Sequence, residues 1–131
     1  NQCVVLAIDT KKEMDGNWYV YLNGGRLKTD KLAYDWAKEG IELGAGEILL
    51  TSMNNDGTKD GFAEDITSLL SSNLSVPIIA SGGAGNMRHF EEVFKNANAD
   101  AALAASVFHF GEIKIPELKS YLSHKNINVR L

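Results

Sequence analysis

The chain has 131 residues, of which 44% are hydrophobic and 23% charged, as in an ordinary globular domain. Its formal net charge of −4 excludes a broad basic surface, so we expect no nucleic-acid partner. No apolar run approaches the roughly 20 residues of a membrane span and no signal peptide opens the chain, which predicts a cytoplasmic protein without membrane contact. The only cysteine, Cys3, cannot form an internal disulfide, and its apolar neighbours predict a buried thiol.

Four short apolar runs predict strands of a parallel sheet, because each is almost continuously apolar, as in strands covered on both faces. They are residues 3–9, 47–52, 76–81 and 101–106. After the first run, residues 17–29 alternate apolar and polar side chains around Asn23 and Gly24. That turn signal predicts a β-hairpin between the first two parallel strands.

Amphipathic segments predict a helix after each of the four runs, namely residues 30–44, 62–73, 86–97 and 116–126. In the first helix, Asp30 is the predicted N-cap and Gly44 the residue that ends it. Its predicted apolar stripe consists of Leu32, Trp36 and Ile41 or Leu43. Pro116 suits the first turn of the last helix.

The order of strand and helix, repeated four times, predicts right-handed βα units around a parallel sheet. Open doubly wound sheets usually have five or six strands, whereas a (β/α)8 barrel has eight. The chain also begins almost inside its first strand, with Asn1 and Gln2 before it, which we interpret as the mark of a fragment. We therefore predict an α/β fold in which a single domain, residues 1–131, forms half of a TIM-type barrel.

The loops that follow the strands form the active face of such a barrel. Ser81 ends the third predicted strand and Gly82 and Gly83 follow it, while Ser106 ends the fourth and the short segment 110–113 lies just beyond it. Glycines allow the backbone to approach an anion, and amides at a helix N-terminus attract it. The pattern predicts a phosphate site, with a plain strand-to-helix turn as the alternative.

Two acidic residues interrupt the apolar strands. Asp9 ends the first strand and would lie at the barrel mouth, where a carboxylate can act as a general acid or base. The alternative is a turn-forming cap at the strand end. Glu47 shares a strand face with Thr51, so it would point inward at the opposite end and need a charged partner, unless that strand end is exposed.

The three histidines lack the spacing of metal ligands, which predicts surface or packing roles and no metal; they are His89, His109 and His124. Gly83 and Gly85 begin a dinucleotide-like pattern, but Arg88 stands where its third glycine would be. We therefore expect no cofactor.

Four segments together resemble the C-terminal half of the cyclase subunit of imidazole glycerol phosphate synthase, an enzyme of histidine biosynthesis. They are VVLAID (4–9), GAGEILLTSMNNDGTKDG (44–61), PIIASGGAG (77–85) and ADAALAASVFHFGEI (99–113). The similarity extends from Val4 to about Leu131. The histidine-pathway isomerase shares the Gly-Gly phosphate loop, but LLTSMNNDGTKDG and AASVFHF are similar to the cyclase.

The resemblance implies a cyclase that combines ammonia with a phosphoribulosyl-formimino derivative of aminoimidazole carboxamide ribotide. Its products would be imidazole glycerol phosphate and aminoimidazole carboxamide ribotide. Ammonia would come from a glutaminase subunit docked at the other end of the barrel. Asp9 would be one of two catalytic aspartates, the other belonging to the missing N-terminal half-barrel, and Glu47 would belong to a ring of charges that gates ammonia entry.

The resemblance also implies a set of substrate and phosphate ligands, with the transfer weakest for the first. They are Asn23, Thr51, Asp56, Gly57, Ser81, Gly82, Gly83, Ala105 and Ser106.

Two other functions are compatible with the sequence. The isolated half-barrel could act as a binding and assembly module that folds and holds phosphate without turnover. A flavodoxin-like electron carrier is the other, although it needs a further strand and aromatic residues around a flavin. Inward-facing apolar residues without a partner predict self-association as a homodimer or higher oligomer; they include Val5, Ala7, Leu49, Ile79 and Leu103.

Overall fold

The computed structural model describes residues 3–131, so Asn1 and Gln2, on which the interpretation as a fragment depends, lie outside the described residues. Its strands are β1 (Val5–Lys12), β2 (Trp18–Leu22), β3 (Leu27–Leu32), β4 (Glu47–Ser52), β5 (Ile78–Ser81) and β6 (Ala101–Leu103). Its helices are α1 (Ala33–Glu42), α2 (Glu64–Asn73), α3 (Met87–Ala97), α4 (Ser106–His109) and α5 (Ile115–His124). Within the described residues, no helix combines the length and apolar character needed to cross a membrane.

The described strands form one sheet in the order β3-β2-β1-β4-β5-β6. β1, β4, β5 and β6 are parallel neighbours that follow one another in chain order, and β2 and β3 add an antiparallel hairpin beside β1. A doubly wound sheet reverses its strand order at a switch point, whereas successive strands of a (β/α)8 barrel do not. The predicted βα units and the predicted hairpin are confirmed.

The two faces of the parallel strands differ in their cover. Ile8, Ile48 and Ile78 are at most 1% exposed, because α1 and α2 pack over them with Ala33, Ala37, Ile66 and Leu70. We call this the covered face. A second core lies around α3 and α5, where Phe90, Val93, Val107, Leu118 and Leu122 are buried together.

The alternate residues of the same strands form what we call the open face. Val5 at one end is 47% exposed and Leu103 at the other is 44% exposed. A flavodoxin-like sheet carries helices on both faces, whereas in a (β/α)8 barrel the inner face is covered by the other strands of the barrel. The architecture is half of a TIM-type barrel.

The predicted apolar stripe is correct only in part: Trp36 and Ile41 pack half-buried against the core, but they do not form the buried face of α1. Its buried face consists of Ala33, Ala37 and Gly40, and Leu43 is 78% exposed. The helix lies close to β1 at Gly40, where an added Cβ atom would meet the Cδ2 atom of Leu6. The helix therefore meets the sheet through its small residues, and the larger apolar ones flank the contact.

Several predicted ends also differ. Asp30 does not cap α1, because β3 continues through Leu32, which is itself the N-cap residue. Gly44 does end this helix, with φ at +112°, as predicted. Cys3 is exposed, since it precedes β1 and lies outside both cores, so the predicted burial is wrong. The short helix after β6 begins at Ser106, so the segment 110–113 named above follows this helix.

Candidate functional site

A cavity of about 240 Å³ lies at the carboxyl ends of β5 and β6. Its lining residues come from three loops: Asp56, Gly57, Lys59, Ser81, Gly82, Gly83, Ala84, Leu103, Ala104, Ala105 and Ser106. Apart from Thr51 and Asn23, every residue of the predicted substrate and phosphate set lines this cavity. The structure thus brings together residues that are up to 50 positions apart in the sequence.

Gly82 and Gly83 have φ angles of +95° and +116°, which favour glycine. A Cβ atom on Gly82 would lie 2.7 Å from the carbonyl oxygen of Ser52, and one on Gly83 would lie 2.0 Å from that of Gly61. Both glycines are therefore required by the close contact between the β5–α3 loop and the β4–α2 loop. This contact explains the glycines without a ligand, so the case for an anion site depends on the cavity.

Asn55 holds the β4–α2 loop in place. The Ser52 hydroxyl donates to Asn55 Oδ1 at 2.6 Å, and Asn55 Nδ2 donates to the Gly61 carbonyl at 3.0 Å. The Gly61 amide in turn donates to the Gly83 carbonyl at 2.8 Å. These bonds tie the loop to the glycines after β5 and bring Asp56 to the cavity.

His89 supports the other side of the glycine loop. Asn86 caps α3 and accepts from the His89 amide at 3.1 Å, while His89 Nδ1 accepts from the amides of Gly85 at 3.0 Å and Asn86 at 3.3 Å. The ring therefore satisfies backbone donors at the helix start. Sequence reasoning missed this cap because a histidine takes the place of the usual glutamate or glutamine.

Asp9 lies on the open face, half-buried, beside the cavity. In the parallel register it is next to Thr51 of β4, which is next to Ser81 of β5. Two strand spacings of about 4.8 Å put the Asp9 backbone roughly 10 Å from that of Ser81. The chain does not turn after Asp9, because β1 continues to Lys12, so the alternative of a turn-forming cap is wrong.

Tyr21 lies across the hairpin from Asp9 and shares its face. Its hydroxyl donates to Glu13 Oε2 at 2.6 Å, and this hydrogen bond raises the pKa of Tyr21 to about 12. The phenol beside Asp9 therefore stays protonated at neutral pH. Asn23 lies in the exposed turn of the hairpin with φ at +54°, and the structure does not bring it to the cavity.

Glu47 begins β4 at the opposite, amino end of the sheet, where it is half-buried and next to Val5. It contributes to a separate cavity of about 590 Å³, together with Gly46, Ser75 and Pro77. Its predicted position on the same strand face as Thr51 is confirmed by the strand register. Within residues 3–131, Glu47 forms no ion pair.

Sequence reasoning missed Lys59, which lines the cavity beside Asp56. Its Nζ donates to both carboxylate oxygens of Glu112 at 2.8 Å. The signal available in the sequence was a lysine next to the predicted ligands Asp56 and Gly57. Within the described range, no cluster of three His, Cys, Asp or Glu side chains is arranged to hold a metal ion.

Fold and cavity define this chain as half of a (β/α)8 barrel with a small cavity at the carboxyl ends of its last two parallel strands. Residues 1–114 match the family model described as "Histidine biosynthesis protein", and the chain belongs to that family.

The chain is also similar to proteins described as "Imidazole glycerol phosphate synthase subunit HisF". It is 61% identical to that of Phocaeicola vulgatus over 131 residues, which is 100% of this chain and 52% of the relative. It is 60% identical to that of Bacteroides fragilis over 130 residues, 99% of this chain and 52% of the relative. The relative from Hydrogenobaculum is 54% identical, again over 100% of this chain and 52% of its own length. The chain spans about half the length of the curated relatives it matches.

Proposed function

We propose that the chain is one domain that supplies the C-terminal half of the cyclase of imidazole glycerol phosphate synthase. The cavity after β5 and β6 carries this proposal, because its lining contains most of the ligands that the resemblance implies. The complete cyclase uses ammonia to convert the phosphoribulosyl-formimino substrate into imidazole glycerol phosphate and aminoimidazole carboxamide ribotide. It works in the cytoplasm with a glutaminase subunit.

In this proposal the cavity holds one phosphate group of the substrate. Gly82 and Gly83 are among its lining residues and can present backbone amides to an anion, and the chain's net charge of −4 provides no broad basic surface to attract one. Thr51 lies between Asp9 and Ser81 in the sheet and contacts the part of the substrate that joins the phosphate to the reacting atoms.

Asp9 acts as the general acid or base supplied by this half. Its place on the open face, one strand from Thr51, supports this role because a substrate anchored in the cavity would extend across that face. The second aspartate belongs to the missing N-terminal half-barrel. Asn23 contacts the substrate only if the hairpin turn bends toward it on binding.

Glu47 belongs to the ammonia gate. Its place on the same strand face as Thr51, at the end of the strand opposite the cavity, supports the proposal, as does the absence of an ion partner within residues 3–131. A half-buried carboxylate is stabilised by a cation, which the N-terminal half-barrel would provide.

The decisive experiment is a titration of the ¹⁵N-labelled chain with inorganic phosphate. We expect the amide resonances of Gly82, Gly83 and Ser106 to shift together with one dissociation constant. Shifts confined to residues far from the cavity would overturn the phosphate assignment.

A second candidate function is assembly without turnover. The exposure of Val5 and Leu103 on the open face favours it. A free strand edge also favours it: over Val5–Ile8, β1 pairs with β4 on one side, and its other side pairs with no strand within the described residues. In this case two copies associate through their open faces with C2 symmetry. Sedimentation equilibrium at micromolar concentration would detect the dimer, and a stable monomer that unfolds cooperatively would contradict it.

A further inference from the structure

Lys59 is the only positively charged side chain among the described residues that line the cavity. It opposes the one negatively charged lining residue, Asp56. The lining side chains therefore have a formal charge of zero with the Lys59 ammonium and −1 without it. A carboxylate in a cavity that takes up an anion requires a compensating cation nearby.

The Lys59 ammonium forms an ion pair with Glu112. Glu112 lies between α4 and α5, outside the group of described residues that line the cavity, and both of its oxygens accept from Lys59 Nζ at 2.8 Å. The two side chains are 44% and 41% exposed. Ion pairs this exposed contribute little to stability, so the ammonium can exchange partners at small cost.

The backbone of Lys59 is packed against the loop after β5, whereas its side chain is partly exposed. Its φ angle is +60°, a left-handed conformation that side chains other than glycine, asparagine and aspartate rarely adopt. A Cβ atom at Gly85 would lie 2.1 Å from the Lys59 carbonyl oxygen. Gly85 thus allows the β5–α3 loop to pack directly on Lys59 and keeps this residue at the cavity. Unfavourable conformations of this kind are concentrated at functional sites.

We propose that Lys59 is the charged ligand of the bound phosphate and that Glu112 is its resting partner. When a phosphomonoester dianion enters, the Lys59 ammonium leaves Glu112 and donates to the phosphate oxygens, and the Glu112 carboxylate turns to solvent. The exchange favours a dianion over a monoanion, because the attraction of the Lys59 ammonium grows with the charge on the phosphate. This inference rests on the phosphate site proposed above and names the side chain that neutralises its ligand.

The test is a phosphate titration of the parent chain and of Lys59→Met, Lys59→Arg and Glu112→Gln, followed through the amides of Gly82 and Ser106. Charge-assisted hydrogen bonds of this strength predict that Lys59→Met weakens phosphate binding roughly tenfold or more. Lys59→Arg retains most of the affinity. Glu112→Gln tightens binding several-fold, because the neutral amide no longer competes for the ammonium.

The matched controls are Lys31→Met and Glu39→Gln, which make the same charge changes in an exposed ion pair between β3 and α1. Both should bind phosphate as the parent does, and equal shifts in these variants would assign the effect to net charge and overturn the proposal. Thermal unfolding of each variant shows whether it is folded.

The outcomes separate this inference from the phosphate site itself. If the parent gives no shifts at Gly82 and Ser106, the phosphate site fails. If the parent binds there and Lys59→Met binds equally well, the site stands and the role of Lys59 is overturned. If Lys59→Met weakens binding but Glu112→Gln leaves it unchanged, Glu112 is not the resting partner, and the exchange is overturned.

Discussion

The covered face and the open face of the sheet are built from the same strands, and neighbouring residues alternate between them. Leu50 on the covered face is 2% exposed, whereas Val5 and Leu103 on the open face are nearly half exposed. The covered face is completed by this chain's own helices, and it explains how the half-barrel holds together. The open face carries Asp9, Thr51 and Glu47, and in a complete (β/α)8 barrel the strands of the other half would cover it.

The contrast separates stability from function within single strands. A substitution on the covered face should change the free energy of unfolding and leave binding intact. A substitution on the open face should do the reverse until a partner covers that face. Adjacent residues of one strand therefore make matched pairs.

The largest expected effect is on turnover. In a barrel completed with an N-terminal half, Asp9→Asn should lower ammonia-dependent turnover by about 10²–10⁴-fold, the usual loss for a general acid or base. Substrate binding and the urea midpoint should stay close to those of the parent. Activity within a few-fold of the parent would reduce Asp9 to a structural residue.

The matched variant for Asp9 is Thr10→Val in the same strand. Thr10 is fully buried on the covered face, and its hydroxyl donates to the Tyr19 carbonyl at 2.9 Å. Its loss should lower the free energy of unfolding by about 1 kcal/mol and leave turnover unchanged. A drop in turnover as large as that of Asp9→Asn would mean that the two faces are not separate.

The second prediction compares Leu50→Ala with Leu49→Ala. Leu50 packs in the core under α1 and α2, so its truncation should lower the free energy of unfolding by about 2–5 kcal/mol at any protein concentration. Leu49 is on the open face, and its truncation should cost much less in a dilute monomer. Urea unfolding at several concentrations measures both.

If the loss of unfolding free energy in Leu49→Ala rises with protein concentration, this would support association through the open face. An equally large cost for both variants in dilute monomer would contradict the division into two faces.

The third prediction concerns the carboxyl edge, where the loops lie. Gly83→Ala should abolish phosphate shifts and destabilise the chain by more than the ~1–2 kcal/mol of a left-handed alanine, because its Cβ meets the Gly61 carbonyl. Gly16→Ala is the control, since Gly16 also has positive φ but no atom within 4 Å of the added Cβ. A phosphate site that survives Gly83→Ala would show that the contact between the two loops is dispensable.

Sequence patterns predicted the βα order, the hairpin and the cavity because each depends on local signals. β4 coincides with its apolar run, and Asn23 and Gly24 form the predicted turn. The cavity residues lie at the ends of predicted strands or in the loops that follow them, so the topology of the sheet brings them together.

The failures have physical causes in tertiary contact. Asp30 is a good helix cap in isolation, but pairing of β3 with β2 extends the strand past it. The small buried face of α1 depends on how closely Leu6 approaches Gly40, which no periodicity reveals. Lys59 lies at the cavity because the β4–α2 loop packs against the glycines after β5, a contact between distant segments that the sequence does not reveal.

The smallest expected effect concerns a hydrogen bond between α3 and α5, the two helices around which the second core lies. The Tyr121 hydroxyl of α5 donates to Glu91 Oε1 of α3 at 2.6 Å, and this hydrogen bond, aided by Lys95, lowers the pKa of the Glu91 carboxyl. A carboxyl whose pKa is lowered on folding stabilises the fold above its unfolded pKa of about 4.3, and that contribution is lost as the pH falls through the folded value. Tyr121→Phe should therefore lower the urea midpoint at pH 7, and its midpoint should approach that of the parent as the pH falls below about 4.

Tyr34→Phe is the matched control, because within the described residues the Tyr34 hydroxyl has no carboxylate partner. The change in urea midpoint caused by Tyr34→Phe should not vary over this pH range. A Tyr121→Phe deficit that is the same at pH 7 and pH 3 would mean that the ring's packing, and not its bond to Glu91, joins α3 to α5.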